Sequence, residues 1–141
     1  MGIQNKADRE TFSRLRQSLL RLAGEIQRVV EPLFSDRPVI KGTVYELKRR
    51  CGKPGCKCAR GQLHTRMVLS ASEGGKTRLR VIPPGCLVGM EAKVRGYRDL
   101  RRARARLGAL YRKMMEVIDQ MEGMRREEVP SSDPKGGSKG R

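Results

Sequence analysis

The sequence predicts an α+β fold: one helix, a three-stranded β-meander, then a second, longer helix. Three observations carry this reading. Apolar residues recur at alternating spacings of three and four through 8–31 and again beyond residue 100. Such seams mark helices that pack along one stripe. Between them lie β-branched runs broken by Glu73-Gly74-Gly75-Lys76, a strong hairpin signal. Three of the four cysteines and the only histidine also fall within the fourteen residues from Cys51 to His64.

The first helix is expected from about Asp8 to Glu31, with Phe12, Leu15, Leu19, Leu22, Ile26 and Val29 as its heptad seam. Leu20 and Val30 should widen that face, and Asp8 or Thr11 should cap its start. Pro32 disfavours helix at Glu31 and so ends it. Strands are expected over Val39–Lys48, Arg66–Ser72 and Thr77–Ile82, the last with Leu79 and Val81 on one face and Arg78 and Arg80 on the other. After Pro83-Pro84-Gly85 a helix should run from about Val88 to Glu128. Its seam is Leu100, Ala103, Leu107, Leu110, Met114, Val117, Met121 and Met124, and it fades backwards at Gly96 and Lys93. The two helices are expected to form a coiled-coil-like stalk, either with each other or with a second copy, because isolated short helices are marginal in water. The chain then divides into a stalk helix (1–34), a β head (35–85), a long basic helix (86–128) and a disordered tail (129–141).

Cys51, Cys56, Cys58 and His64 follow a Cys-x4-Cys-x-Cys-x5-His spacing. Three thiolates and one imidazole are a common structural set for tetrahedral Zn²⁺. Gly52, Gly55, Gly61 and Pro54 suit a tight ligand loop. A redox pair is the weaker rival, since no Cys-x-x-Cys opens a helix after a strand. Cys86 stands apart after Pro-Pro-Gly, as a substitute fourth ligand or, more simply, a small packed hydrophobe.

Composition narrows the function. Hydrophobic content is 37%, aromatics 4%, and there is no Trp, so the core is modest and needs a metal, a coiled coil or a partner beside it. The polar opening from Met1 to Glu10 and the lack of a spanning apolar run lead to an expectation of a soluble, cytoplasmic protein with reduced thiols and no membrane association. Net charge is +17, and residues 35–115 carry +16 of it. The end of the long helix, 116–128, is net −3. Concentrated positive charge of this kind is the footprint of a nucleic-acid binder.

The stretch Cys51-Gly-Lys-Pro-Gly-Cys-Lys-Cys-Ala-Arg-Gly61, with His64, Glu73-Gly-Gly-Lys-Thr-Arg78 and Val81-Ile-Pro83, resembles a small prokaryotic domain-of-unknown-function family, DUF6788. That family joins a CGKPxCxCAxG loop to an HGPY step and a GGKT hairpin. The likeness covers about residues 42–85, with a looser one in the helix that follows. The chain departs from the pattern at Thr65-Arg66-Met67, where the family has Gly-Pro-Tyr, so the fourth ligand stays open between His64 and Cys86.

The residues favour a zinc-stapled, basic, non-enzymatic module that binds nucleic acid, duplex DNA before RNA. Lys48, Arg49, Arg50, Lys53, Lys57 and Arg60 ring the ligand loop; Arg66, Lys76, Arg78 and Arg80 lie on or beside the hairpin; Arg98 and Arg102 stand on the long helix. These positions suit phosphate contacts, which give affinity without a sequence code. Few aromatics stand among them, which disfavours a base-stacking platform. Catalysis has little to work with, since the middle segment offers only Asp36, Glu46 and Glu73 as carboxylates, and no small-molecule substrate is expected. The rival class is a protein-interaction adaptor, favoured by the Met-rich, net-acidic end of the long helix.

Overall fold

A computed structural model describes residues 2–131 and shows two helices with a three-stranded antiparallel sheet between them in the chain. The expected disordered tail at 129–141 lies, from residue 132 on, outside the described residues. The chain divides into two compact units. One combines the chain up to Arg28 with the chain from Gly108 onward; the other is Val29–Leu107.

In the first unit, helix α1 (Lys6–Val30) opens on a reciprocal cap rather than on Asp8 or Thr11 alone. Asn5 Oδ1 accepts from the Asp8 backbone N–H at 2.8 Å, and Asp8 Oδ2 accepts from the Asn5 N–H at 3.3 Å. This is the capping-box arrangement with Asn and Asp in place of Ser and Glu. Phe12 and Leu22 are buried, as is Leu110 from helix α2 (Leu87–Arg125). Leu15, Leu19, Met114, Val117, Met121 and Met124 are half-buried, so in this unit the seam residues form the less exposed stripe of each helix, whereas Leu100, in the other unit, is 40% exposed and does not continue the expected seam. Leu20 does not join it: at 74% exposure it stands outside the stripe. Arg16 instead lies over the Phe12 ring, 4.7 Å from its centroid.

In the second unit, α1 gives way to a short 3₁₀ turn, Glu31–Phe34, with Pro32 in its first turn. Strand β1 (Thr43–Arg49) begins four residues later than expected. Val39 and Ile40 bind α2 instead of a neighbouring strand. The Ile40 N–H donates to the Lys93 carbonyl at 3.1 Å, and a Cβ on Gly96 would lie 3.2 Å from Val39 Cγ1. Gly96 and Lys93, where the heptad seam fades, are therefore where α2 meets this segment.

Strands β2 (His64–Glu73) and β3 (Lys76–Val81) complete the meander in the order β1-β2-β3. Gly74 and Gly75 both have positive φ, 58° and 79°, between the paired Glu73 and Lys76. A two-residue loop of that kind is a type I′ hairpin. The pairing register assigns the two faces. Val44, Met67 and Leu69 share one face and pack with Ile82 against Val94, Leu87 and Met90 of α2. Tyr45, Leu47, Val68, Leu79 and Val81 share the other. Among the described residues no helix is long and apolar enough to cross a membrane.

Candidate metal centre

Chain geometry brings the four expected ligands together from both strand ends and the loop between them. His64 is the first residue of β2 and pairs with Arg49, the last of β1; Cys51 follows two residues on. Pro54 and Gly55 (φ 84°) form the centre of a turn closed by the Cys56 N–H on the Lys53 carbonyl at 3.3 Å, the Pro-Gly order of a type II turn. Cys58 sits on a single 3₁₀ turn, Lys57–Arg60, ended by Gly61 in the left-handed region. Spacing alone puts His64 in the loop; pairing with Arg49 makes it part of the sheet and fixes it more firmly.

The Sγ atoms of Cys51, Cys56 and Cys58 and a ring nitrogen of His64 all lie within 4.8 Å of one another. Cys51 and Cys58 sulfurs are 3.4 Å apart, and Cys56 Sγ is 3.1 Å from His64 Nε2. Zinc–sulfur and zinc–nitrogen bonds set tetrahedral ligand–ligand edges of ~3.5–3.8 Å, so shifts of only a few tenths of an ångström to about 1 Å place all four around one ion. The cluster of three cysteines and one histidine is thus a possible metal-binding site, and its donor set fits a metal ion. Cys86, by contrast, lies outside the cluster and is exposed, so it is neither a fourth ligand here nor a packed hydrophobe. It ends a one-turn helix between the sheet and α2 whose residues are all open to solvent.

Two of the sulfurs, those of Cys51 and Cys58, already accept backbone N–H groups. The Cys51 N–H donates to Cys58 Sγ at 3.3 Å, and that bond is the main cause holding the Cys58 thiol below its ordinary pKa. For Cys51 the Lys53 N–H lowers the value, but the neighbouring Cys58 and Cys56 thiols together with desolvation outweigh it and raise the net pKa. Cys58 is also the deepest ligand, 1% exposed, whereas Cys51 and His64 face solvent.

Beside the cluster runs a groove of about 610 Å³ lined by Leu47, Val81, Cys51, Cys56 and His64 together with Arg49, Arg50, Lys53 and Arg66. Each of these cations is exposed. The other basic candidates are exposed too but stand elsewhere. Lys48, Arg78 and Arg80 belong by register to the opposite face of the sheet, and Arg78 and Arg80 pair with Glu73 at 3.5 and 3.0 Å. Lys76 is in the hairpin, Lys57 and Arg60 are on the 3₁₀ turn, and Arg98 and Arg102 are on α2. Leu47 and Val81 do not stand out as site residues from sequence. Their signal is strand alternation, which puts Leu47 of β1 and Val81 of β3 on the face of Arg66 rather than of the core.

These features define a small α+β protein with three cysteines and a histidine clustered at one end of a three-stranded sheet. The chain belongs to the DUF6788 family, a domain of unknown function, which it matches over residues 12–86, more than half its length. The match reaches further back than the likeness in the loop and hairpin, taking in most of α1, and stops where α2 begins. No curated protein and no solved structure matches the chain.

Proposed function

We propose that the protein is a zinc-stapled, non-enzymatic module that binds nucleic acid, duplex DNA before RNA, through the phosphate backbone. The observation that carries this reading is the groove in which Arg49, Arg50, Lys53 and Arg66 stand beside the ligands. A Zn²⁺ held by three thiolates and one neutral imidazole has a net charge of −1, which one cation balances. The remaining cations are surplus to the site and available to phosphates. Four protein ligands also complete a tetrahedral shell and leave no open position, as structural sites do. Zinc is the metal this soft, tetrahedral donor set favours, and a reducing cytoplasm would keep its thiolates free.

The test is a titration of the metal-loaded chain against a short DNA duplex at two salt concentrations, beside Arg49→Glu/Arg50→Glu. Salt-sensitive binding that the variant weakens supports the reading. Absence of binding by the wild type overturns it and leaves the adaptor reading, which the apolar surface of α2 favours. Metal analysis of the same sample tests zinc separately.

A further inference from the structure

We propose that α2 pairs antiparallel with α2 of a second copy of this chain, about a two-fold axis near Met115. In the unit that contains residues 108–125 of α2, the apolar surface of the helix is wider than its seam. Leu110, Met114, Val117 and Met121 are buried or half-buried. Next to them Tyr111, Met115 and Ile118 repeat at i, i+4 and i+7, and they are 52%, 60% and 41% exposed. A two-stranded seam needs only the first set; a helix apolar over both sets is built for a bundle of more than two helices. A shallow groove of about 450 Å³ begins at the end of this surface, lined by Ile118 and Met121 with Leu19 of α1 and by Glu122, Arg125 and Arg126.

Charge selects the occupant and its direction. Arg112, before Met115, and Asp119, after it, are seven residues apart and so stand on the same flank of the stripe. An antiparallel copy centred near Met115 sets Tyr111 against Ile118 and Arg112 near Asp119, each contact occurring twice by symmetry. In a parallel copy Arg112 and Asp119 would face the partner's other flank, where Met114 and Met121 stand, and neither would meet an opposite charge. The stripe is therefore complementary to itself in one orientation. This pairing is separate from the heptad seam and from the basic groove beside the cluster.

The experiment is sedimentation equilibrium of the full-length, metal-loaded protein without nucleic acid. Wild type should sediment at twice the mass of the chain. Met115→Glu/Ile118→Glu, at positions already open to solvent, should raise the dimer dissociation constant about 30-fold or more with unchanged helical circular dichroism. Asp119→Arg should weaken the dimer, and adding Arg112→Glu should restore it. A wild type that stays monomeric at about 100 μM overturns the proposal, as does a dimer indifferent to Met115→Glu/Ile118→Glu, which would assign pairing to the seam. Failure of the charge swap to restore the Asp119→Arg variant would overturn the antiparallel register.

Discussion

Cys58 concentrates the chemistry of the site in one residue. It is the buried one of the four candidate ligands, it accepts the Cys51 N–H, and the 3₁₀ turn that carries it is ended by a glycine with φ 100°. Cys58→Ser leaves the shape of that turn but removes a thiolate from a set in which metal binding, as proposed, would supply folding energy, ~10–16 kcal/mol for structural zinc in small domains. Metal content should therefore fall from one per chain to near zero, and the loop should lose its protection from proteolysis. His64→Cys should keep the metal, because a set of four cysteines is equally acceptable to zinc. Both outcomes are read by elemental analysis of purified protein. Retention of metal by His64→Ala as well would mean that His64 acts through its place in the sheet rather than through a bond to the ion. Chelation of the wild type should reproduce Cys58→Ser while leaving most of the helical signal, since α1 and α2 carry no ligand.

Individual elements show which local rules won. Gly24 lies inside α1 with nothing within 4 Å of an added Cβ, so Gly24→Ala should stabilise by ~0.5–1 kcal/mol through helix propensity. Gly42 enters β1 with a different constraint: a Cβ there would lie 2.8 Å from both Leu69 Cδ1 and the Ser70 carbonyl oxygen. The carbonyl belongs to the central strand and cannot swing aside, so Gly42→Ala should cost ~1–3 kcal/mol. Thermal melts of the two variants should move in opposite directions; a shared direction would reject one of the two readings. The same contrast explains what is legible from sequence. The hairpin, the ligand loop and both helices are set by local chemistry: two glycines in a type I′ turn, Pro-Gly in a tight loop, a repeat of apolar residues. The start of β1 is not local. Val39 and Ile40 have strand propensity, but the Lys93 carbonyl and the gap at Gly96 claim them, and both lie over fifty residues away in the chain. Asn5 is hard to read as the cap because reciprocal bonding with Asp8 needs the pair, and Leu20 misleads because exposed leucines are common.

At the scale of the whole molecule, the charge of +17 has to be reconciled with a fold that places its cations on different surfaces. Arg49, Arg50, Lys53 and Arg66 share the groove, but Arg78 and Arg80 pair with Glu73 on the other face of the sheet. Exposed pairs of this kind contribute little to stability, ~0–1 kcal/mol, but they do reduce the charge left for a phosphate. The groove and the hairpin should consequently contribute unequally to DNA binding. Removing one cation that neutralises a phosphate lowers the slope of log K against log salt by about 0.9 for a duplex. Arg49→Glu/Arg50→Glu should thus flatten the slope by roughly two, whereas Arg78→Gln/Arg80→Gln should change it by well under one. Both variants keep the ligands, so metal content serves as the internal control on folding. Equal flattening by the two pairs would show that binding follows total charge spread over the chain. An effect confined to the hairpin pair would move the interface to the opposite face of the sheet, away from the metal cluster.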